Sequence, residues 1–488
     1  MMERYFQDDK KMKTFLRMMP FVMALTACGG SEDSSNATPI NPIINPIPPV
    51  VVTECLTPKI LQNGVCVSVA NICQTETEKV WVRAHLDDVY LWYNEIKEVA
   101  QRDYSSPQSY FDALLVKSKD RFSFVANQAE IEAFQESGLN IGYGITWVND
   151  PTYNGGVRIA FVEKNSPADL QGLERGYILM TIDGKALSQF TQEEFVEALY
   201  PDKVGVTHTF EISSYINPKT IFATLTSKEV AQNPVPIVST QTVANKKIGY
   251  LLFNDHNALA SDKLVNAMTG FKNQKIDELV IDLRYNSGGF LYIASQLASM
   301  VAGSNIQYQV FASFMYNDKN YSQNSNYYFP PFDDQRRLLP QLNLKRVFVL
   351  TGQQTCSSSE AFINALSPFV DVVMIGSSST CGKPYGFQQE NNCASTYFAV
   401  RYQNVNALGQ SVPTVGYAPR CRVEDNLGFA LGDTQEVMFN SAMYYMNTNT
   451  CPVWSFSQSS KKSAAFSLSP KEVYRAPWRS NMIIKQNN

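Results

Sequence analysis

Four segments of this chain, Ile248–Phe253, Leu279–Leu283, Val347–Thr351 and Val370–Gly376, are apolar along nearly their whole length. As strands they have no polar face to turn to water, so helices must cover them on both sides. Between them, Leu291–Ala302 and Ser358–Leu366 carry helical periodicity, which gives a β-α-β-α order and a mostly parallel sheet. That sheet is the part of the fold the sequence constrains most tightly.

The rest of the chain changes character twice. Between Cys73 and Gln135 the residues Val80, His85, Val89, Trp92 and Ile96, then Phe111, Leu114 and Leu115, recur at helical spacing, which predicts a small helical cap. From Gly138 to Ser227 short apolar alternations broken by Gly, Asp and Asn predict strands and turns, with one helix over Thr191–Tyr200. At 488 residues and 44% hydrophobic content the chain can form two to four domains with cores, which excludes a disordered chain or a disulfide-only miniprotein. With 41 Lys+Arg against 45 Asp+Glu there is no basic excess to grip nucleic-acid phosphates, and nucleic acid is not an expected partner.

The amino terminus has the form of an address. Lys10, Lys11 and Lys13 precede an apolar run from Phe15 to Ala27 that is too short to span a bilayer and is broken by Arg17. The ending Leu25-Thr26-Ala27-Cys28 resembles the bacterial lipoprotein box, which implies cleavage before Cys28 and lipid on that residue. Residues 28–53 are rich in Pro, Asn and Ser and read as an extended tether. Eight further cysteines in an exported chain favour disulfides. Cys55 and Cys66, flanking Asn63-Gly64, form the most local pair; Cys356 and Cys381 form a second candidate because they lie on two loops that a shared site would bring together. No CxxC or HExxH is present and the chain has 3 histidines, so no metal site and no cofactor are expected.

Two strand-turn-helix strings carry the candidate chemistry. Asp282-Leu283-Arg284-Tyr285-Asn286-Ser287-Gly288-Gly289 ends a strand in a glycine turn that opens a helix, an arrangement that can offer backbone amides to an oxyanion. Thr355-Cys356-Ser357-Ser358-Ser359-Glu360 places serines at a helix amino terminus. Just past the next strand, Cys381-Gly382-Lys383-Pro384 supplies a lysine which, if desolvated, could act as a neutral base toward a serine. Upstream, Gly142-Tyr143-Gly144-Ile145 precedes a strand, and Ser166-Pro167-Ala168 through Gly184-Lys185 follows it.

The upstream pair of strings resembles a PDZ domain of the bacterial protease type, whose glycine loop takes a peptide's terminal carboxylate while the peptide adds as a strand. All the strings together, in this order, resemble the C-terminal processing (tail-specific) serine peptidases over about residues 80–445. The resemblance implies an α+β multidomain protein: a helical N-terminal cap, a PDZ-like β domain and a crotonase/ClpP-like αβ catalytic core. It implies Ser357 as nucleophile, Lys383 as general base and Gln388 beside it. The amide of Gly288 or Gly289, with that of Ser358, would form the oxyanion hole. Gly142, Tyr143, Gly144 and Ile145 would bind the peptide. Asp120-Arg121-Phe122-Ser123 also matches a family string. Three departures stand out: Thr355 for the first serine, Pro384 for a glycine, and one extra residue between serine and lysine.

The corresponding organisation is a signal peptide over 1–27, the tether over 28–53, a small Cys loop over 54–72, and the cap over 73–135. A PDZ-like domain over 136–230, a catalytic domain over 231–455 and a polar tail over 456–488 complete it. The expected function is a serine endopeptidase of the bacterial cell envelope, anchored through lipid on Cys28, in the outer membrane facing the periplasm or the surface, acting on proteins or peptides with free C-termini. Alternatives are an inactive peptidase-fold scaffold that binds peptides, a Ser-His arrangement using His256 as in tricorn-type relatives, and Cys356 as nucleophile.

Overall fold

The computed structural model describes residues 59–62, 65–68, 73–150, 156–214, 219–453 and 482–483. The signal segment, the lipidation residue Cys28, the tether and the expected Cys55 pairing lie outside the described residues.

The central sheet has six strands in the order Ile237–Val243, Lys246–Leu252, Glu278–Asp282, Arg346–Thr351, Asp371–Gly376, Cys421–Arg422. The first pair is antiparallel and every later pair parallel. Alternation along each strand sends its side chains to two separate cores. Leu251, Leu279, Ile281, Val347 and Val349 face one core, with the helices Ala260–Gln274, Leu291–Ala302 and Ser358–Leu366. Tyr250, Leu252, Val280, Phe348 and Leu350 face the other, with the helix Val437–Thr448. The apolar strands are therefore covered on both faces, as their composition requires.

A second six-stranded sheet, built from short segments, runs Gly289–Phe290, Met482–Ile483, Tyr385–Phe387, Val400–Val405, Val310–Tyr316, Ser325–Tyr328. It was not expected from sequence. Met482 and Ile483 pair with Gly289 and Phe290, so the C-terminal tail is not wholly peripheral.

The cap consists of the helices Thr75–Val89, Pro107–Leu114 and Gln128–Ser137. The first is shorter than its apolar spacing suggests: Tyr90 turns extended and ends it, and Trp92 packs from beyond the helix edge-on against Tyr90 and Tyr385. Its buried face is Trp81, Val82, Leu86 and Val89, with Val80 only partly buried, and it joins the same apolar core as the helices Ala260–Gln274, Leu291–Ala302 and Ser358–Leu366. Strand Phe124–Asn127 pairs with Ser395–Phe398, and a disulfide joins Cys73 to Cys393. Another joins Cys421 to Cys451.

The PDZ segment is a separate six-stranded sheet around Trp147, Ile159, Leu179, Phe210 and Ile212. Its helix Gln192–Leu199, capped by Thr191, contributes Phe195, Ala198 and Leu199 to that core. The chain enters through Leu139–Gly142 and leaves through Lys228–Ala231, and these two strands pair antiparallel as a ribbon.

Candidate active site

Ser357 stands immediately before the helix Ser358–Leu366 with φ 59° and ψ −115°. A side-chain-bearing residue in that region carries strain of about 1–3 kcal/mol, which persists only where the surroundings over-determine it. Here several bonds do so. The Ser357 amide donates to Glu360 Oε2 at 3.2 Å, the Ser357 carbonyl accepts from Ala361 at 2.8 Å, and the amide of Cys356 donates to the Asn286 carbonyl at 3.2 Å. Ser357 is fully buried, and its Oγ has no hydrogen-bond partner among the described residues.

The glycine turn is built for close approach. A Cβ on Gly288 would lie 2.8 Å from the Ser357 Cβ and 3.0 Å from the Ser358 amide nitrogen, and Gly288 adopts φ +106°. Glycine there lets the turn lie directly against the serine. The Gly288 amide donates to Asn286 Oδ1 at 3.0 Å, within its own turn, while Ser358 Oγ donates to the Gly289 carbonyl at 2.7 Å. No described group accepts from the Ser358 amide at the start of the helix.

Lys383 is fully buried on the loop after the strand Asp371–Gly376. Its Nζ lies 3.8 Å from the centre of the Phe387 ring and 5.4 Å from that of Phe122. Burial holds its pKa well below the ordinary lysine value, opposed by the charges of Asp120 and Glu360. Asp120, buried, accepts from Tyr90 Oη at 2.8 Å and from the amides of Phe122 and Ser123 at 2.8 and 2.9 Å. The Asp120–Ser123 string thus belongs to the wall of the lysine site, and Arg121 donates to the Cys381 carbonyl.

The serine and lysine loops are joined twice. Cys356 and Cys381 form the expected disulfide, with Cα atoms 5.1 Å apart. Between them lies the Glu360 carboxylate, which accepts from the amides of Gly382 (2.8 Å) and Lys383 (2.9 Å), from Thr380 Oγ1, and from the Ser357 amide. Burial raises the Glu360 pKa while these hydrogen bonds lower it, and burial prevails. Glu360, Cys356 and Cys381 are the one group of potential metal donors among the described residues, and their two sulfurs are bonded to each other. Sequence reasoning quoted Glu360 as part of a string and gave it no task. Gln388 follows the strand Tyr385–Phe387 and is half-buried.

His256 is buried beside the glycine turn, and its Nε2 has no hydrogen-bond partner among the described residues. Its amide donates to the Gly288 carbonyl at 3.1 Å.

In the PDZ segment, Tyr143 is core: buried, with its hydroxyl donating to the Val206 carbonyl. Its carbonyl accepts from Ala168, and that of Gly144 from Glu163. No described backbone group accepts from the Tyr143 and Gly144 amides. The strand Ile145–Asp150 that follows stands at the end of its sheet among the described residues, paired with Gly156–Val162.

A buried ionic cluster connects the two sheets. Arg284, next to the glycine turn in sequence, donates to Asp282, Asp425 and Glu436 at 2.7–2.9 Å. From the PDZ side Arg175 reaches Asp425 at 2.6 Å and the carbonyls of Ala160 and Phe429 at 2.9 and 3.1 Å, and it also meets the Tyr285 hydroxyl. Asp425 is the shared anion, and the two arginines hold its carboxyl well below the ordinary range against the effect of burial.

Comparison with known proteins gives the following. The profile for Peptidase family S41 matches residues 247–407, that for the Peptidase S41 N-terminal domain residues 77–124, and the PDZ domain profile residues 133–207; together they cover more than half of the chain. A protein of Staphylococcus epidermidis named as a CtpA-like serine protease is 24% identical over 312 residues, 62% of this chain and 57% of that protein. A carboxyl-terminal-processing protease of Picosynechococcus is 26% identical over 219 residues, 45% of this chain and 48% of its own length. The chain thus spans about half the length of these relatives. An S41 protease structure from Bacteroides fragilis NCTC 9343 superposes with a TM-score of 0.62 at 25% identity, covering 76% of this chain and 97% of that one.

The sign of the Asp425 effect follows from its depressed pKa. A carboxyl with a lower pKa in the folded state contributes stability that is fully present above its unfolded value of about 3.9 and is lost as pH falls toward the folded value. Asp425→Asn should therefore destabilise the protein by about 2–4 kcal/mol at neutral pH, through arginines left uncompensated, and should flatten the acid limb of stability below about pH 4. Denaturant unfolding of both proteins across pH measures this; an unchanged acid limb in the variant removes Asp425 from the account.

Proposed function

From a chain that belongs to peptidase family S41, we propose a serine endopeptidase in which Ser357 is the nucleophile and Lys383 the general base. The observation that carries this reading is the environment of Lys383. A lysine enclosed by Phe122 and Phe387, with its pKa held down by burial, can be neutral at working pH and accept the Ser357 proton. Attack by Oγ on a substrate carbonyl forms a tetrahedral oxyanion, for which the Ser358 amide at the helix amino terminus, together with the Gly288–Gly289 turn, is the electrophilic partner. Lys383 then returns the proton to the leaving amine, and water repeats the sequence to release the acyl group. Gln388 is proposed to steady the lysine once substrate is bound. Ser357 Oγ, unpartnered here, takes up its bond to Lys383 on the same occasion, as catalytic hydrogen bonds commonly tighten only in the substrate complex.

In this reading the PDZ segment selects the substrate. A free carboxylate would bind the amides at Tyr143 and Gly144, with Gly142 and Ile145 completing the loop, and the substrate's last residues would extend the sheet along Ile145–Asp150. The partners are thus proteins or peptides with free C-termini. For location, the Cys28 string argues for a lipid-anchored protein of the bacterial envelope, in the outer membrane facing the periplasm or the cell surface. Three disulfides among the described residues suit an oxidising compartment. No helix among the described residues is long and apolar enough to cross a membrane.

Ser357→Ala and Lys383→Ala should each reduce casein turnover by about 10³-fold or more without unfolding. The wild-type rate should rise with pH along a limb whose midpoint lies below the ordinary lysine value. A flat profile between about pH 5 and 9, or turnover surviving Lys383→Ala, would dismiss the lysine base and leave the peptide-binding scaffold or another base.

Amidating a substrate's C-terminus should cut its kcat/KM about tenfold or more while a short internal reporter peptide is cleaved as before. Equal cleavage of both forms excludes the PDZ loop as reader.

Cys28→Ser should move the protein from the membrane pellet to the soluble fraction of cells. Retention in the pellet refutes the lipid anchor.

A further inference from the structure

The turn that faces Ser357 is held by a side chain that the Ser-Lys scheme leaves idle. Asn286 Nδ2 donates to the Phe253 carbonyl at 2.9 Å, and its Oδ1 accepts from the Gly288 amide at 3.0 Å. A carbonyl can only accept and an amide N–H can only donate, so the two ends of this side chain are unambiguous. His256 Nδ1 lies 3.0 Å from the same Oδ1. Since Oδ1 has no hydrogen to give, Nδ1 must carry the imidazole proton, and Nε2 is a bare lone pair. Burial pushes the ring's pKa down to about 3, so the ring stays neutral at working pH, and the Asn286 contact fixes its tautomer.

The backbone completes the link. The His256 amide donates to the Gly288 carbonyl at 3.1 Å, and the His256 carbonyl accepts from Phe290 at 2.9 Å, so the histidine brackets the turn from both sides. A Cβ on Gly289 would lie 2.8 Å from the His256 carbonyl oxygen, which shows how closely the two are apposed. On its other side, the Asn286 carbonyl accepts from the Cys356 amide at 3.2 Å and from Ser359 Oγ at 3.0 Å, one residue before and two after Ser357. Asn286 is therefore a bridge with His256 at one end and the nucleophile loop at the other.

We propose that His256 is a positioning residue, whose Nδ1–H fixes Asn286 and through it the height of the Gly288–Gly289 turn over Ser357. It acts through this donor and takes no proton from Ser357. The proposal rests on the assignment of Ser357 and the turn made above.

Asparagine and glutamine separate the two nitrogens. An asparagine amide can place a donor near the Nδ1 position, whereas a glutamine amide reaches the Nε2 position instead. With a peptide reporter, His256→Asn should keep kcat within about threefold, while His256→Gln and His256→Ala should lower it by roughly 30-fold with KM nearly unchanged, a fraction of the loss of a whole oxyanion donor. Folding failure is controlled by the asparagine rescue. Glutamine active where asparagine is not would make Nε2 the working atom and overturn the proposal, as would an asparagine variant as slow as alanine. Independently of turnover, ¹⁵N spectra of the imidazoles, tractable with 3 histidines in the chain, should show His256 protonated at Nδ1 and bare at Nε2. The opposite tautomer overturns the proposal. Ser357→Ala in the same assay keeps the two readings apart: turnover remaining there dismisses Ser357 as nucleophile, whereas the histidine series and the tautomer judge the positioning role.

Discussion

One buried carboxylate organises the candidate site. Glu360 has no solvent to stabilise its charge, and it is surrounded by donors from both loops: the amides of Ser357, Gly382 and Lys383 and the Thr380 hydroxyl. Removing any of these donors leaves a buried acceptor short of a partner, at about 1–3 kcal/mol. The strained backbone at Ser357 and the sharp path into Lys383 are thus two ends of one hydrogen-bonded unit, and the Cys356–Cys381 bond fastens the same unit covalently. Neither loop can drift without the other.

The molecule treats its buried cations in two opposite ways. Arg284 and Arg175 are surrounded by Asp282, Asp425 and Glu436, so their charges are retained and used to tie the PDZ sheet to the central sheet. Lys383 has aromatic rings against it, and the charges of Asp120 and Glu360 oppose burial without overcoming it. In the first setting burial locks charge in place, and in the second it drives the charge off. The difference lies in facing carboxylates more than in depth: Arg284 and Lys383 are both almost completely buried.

What the sequence disclosed follows from range. Apolar strands such as Leu279–Leu283 and helices such as Leu291–Ala302 and Ser358–Leu366 are local patterns, and the structure places them within a residue or so of their expected bounds. The strings that hold Ser357 and Lys383 were assigned by their resemblance to the peptidase family, and the structure brings the two loops together through Glu360 and the Cys356–Cys381 bond. The second sheet was not, because its strands are as short as two residues and take their pairing from distant segments. The same holds for Phe122 and Asp120 against Lys383, and for Arg175 against Asp425, which are 250 residues apart. The glycine loop gave no sign that the Tyr143 ring packs in the PDZ core, because that packing depends on partners such as Phe210, 67 residues away.

The cap and the catalytic loops build the lysine environment from residues 122 and 383, and the Cys73–Cys393 bond closes over a separation of 320 residues. A chain delivered from its amino terminus presents Phe122 long before Lys383 emerges, and the burial that lowers the lysine's pKa exists only once these distant segments have met. On the proposed Ser357–Lys383 scheme the base is made by that closure, so a chain still short of residue 383 carries a serine loop with no base to serve it.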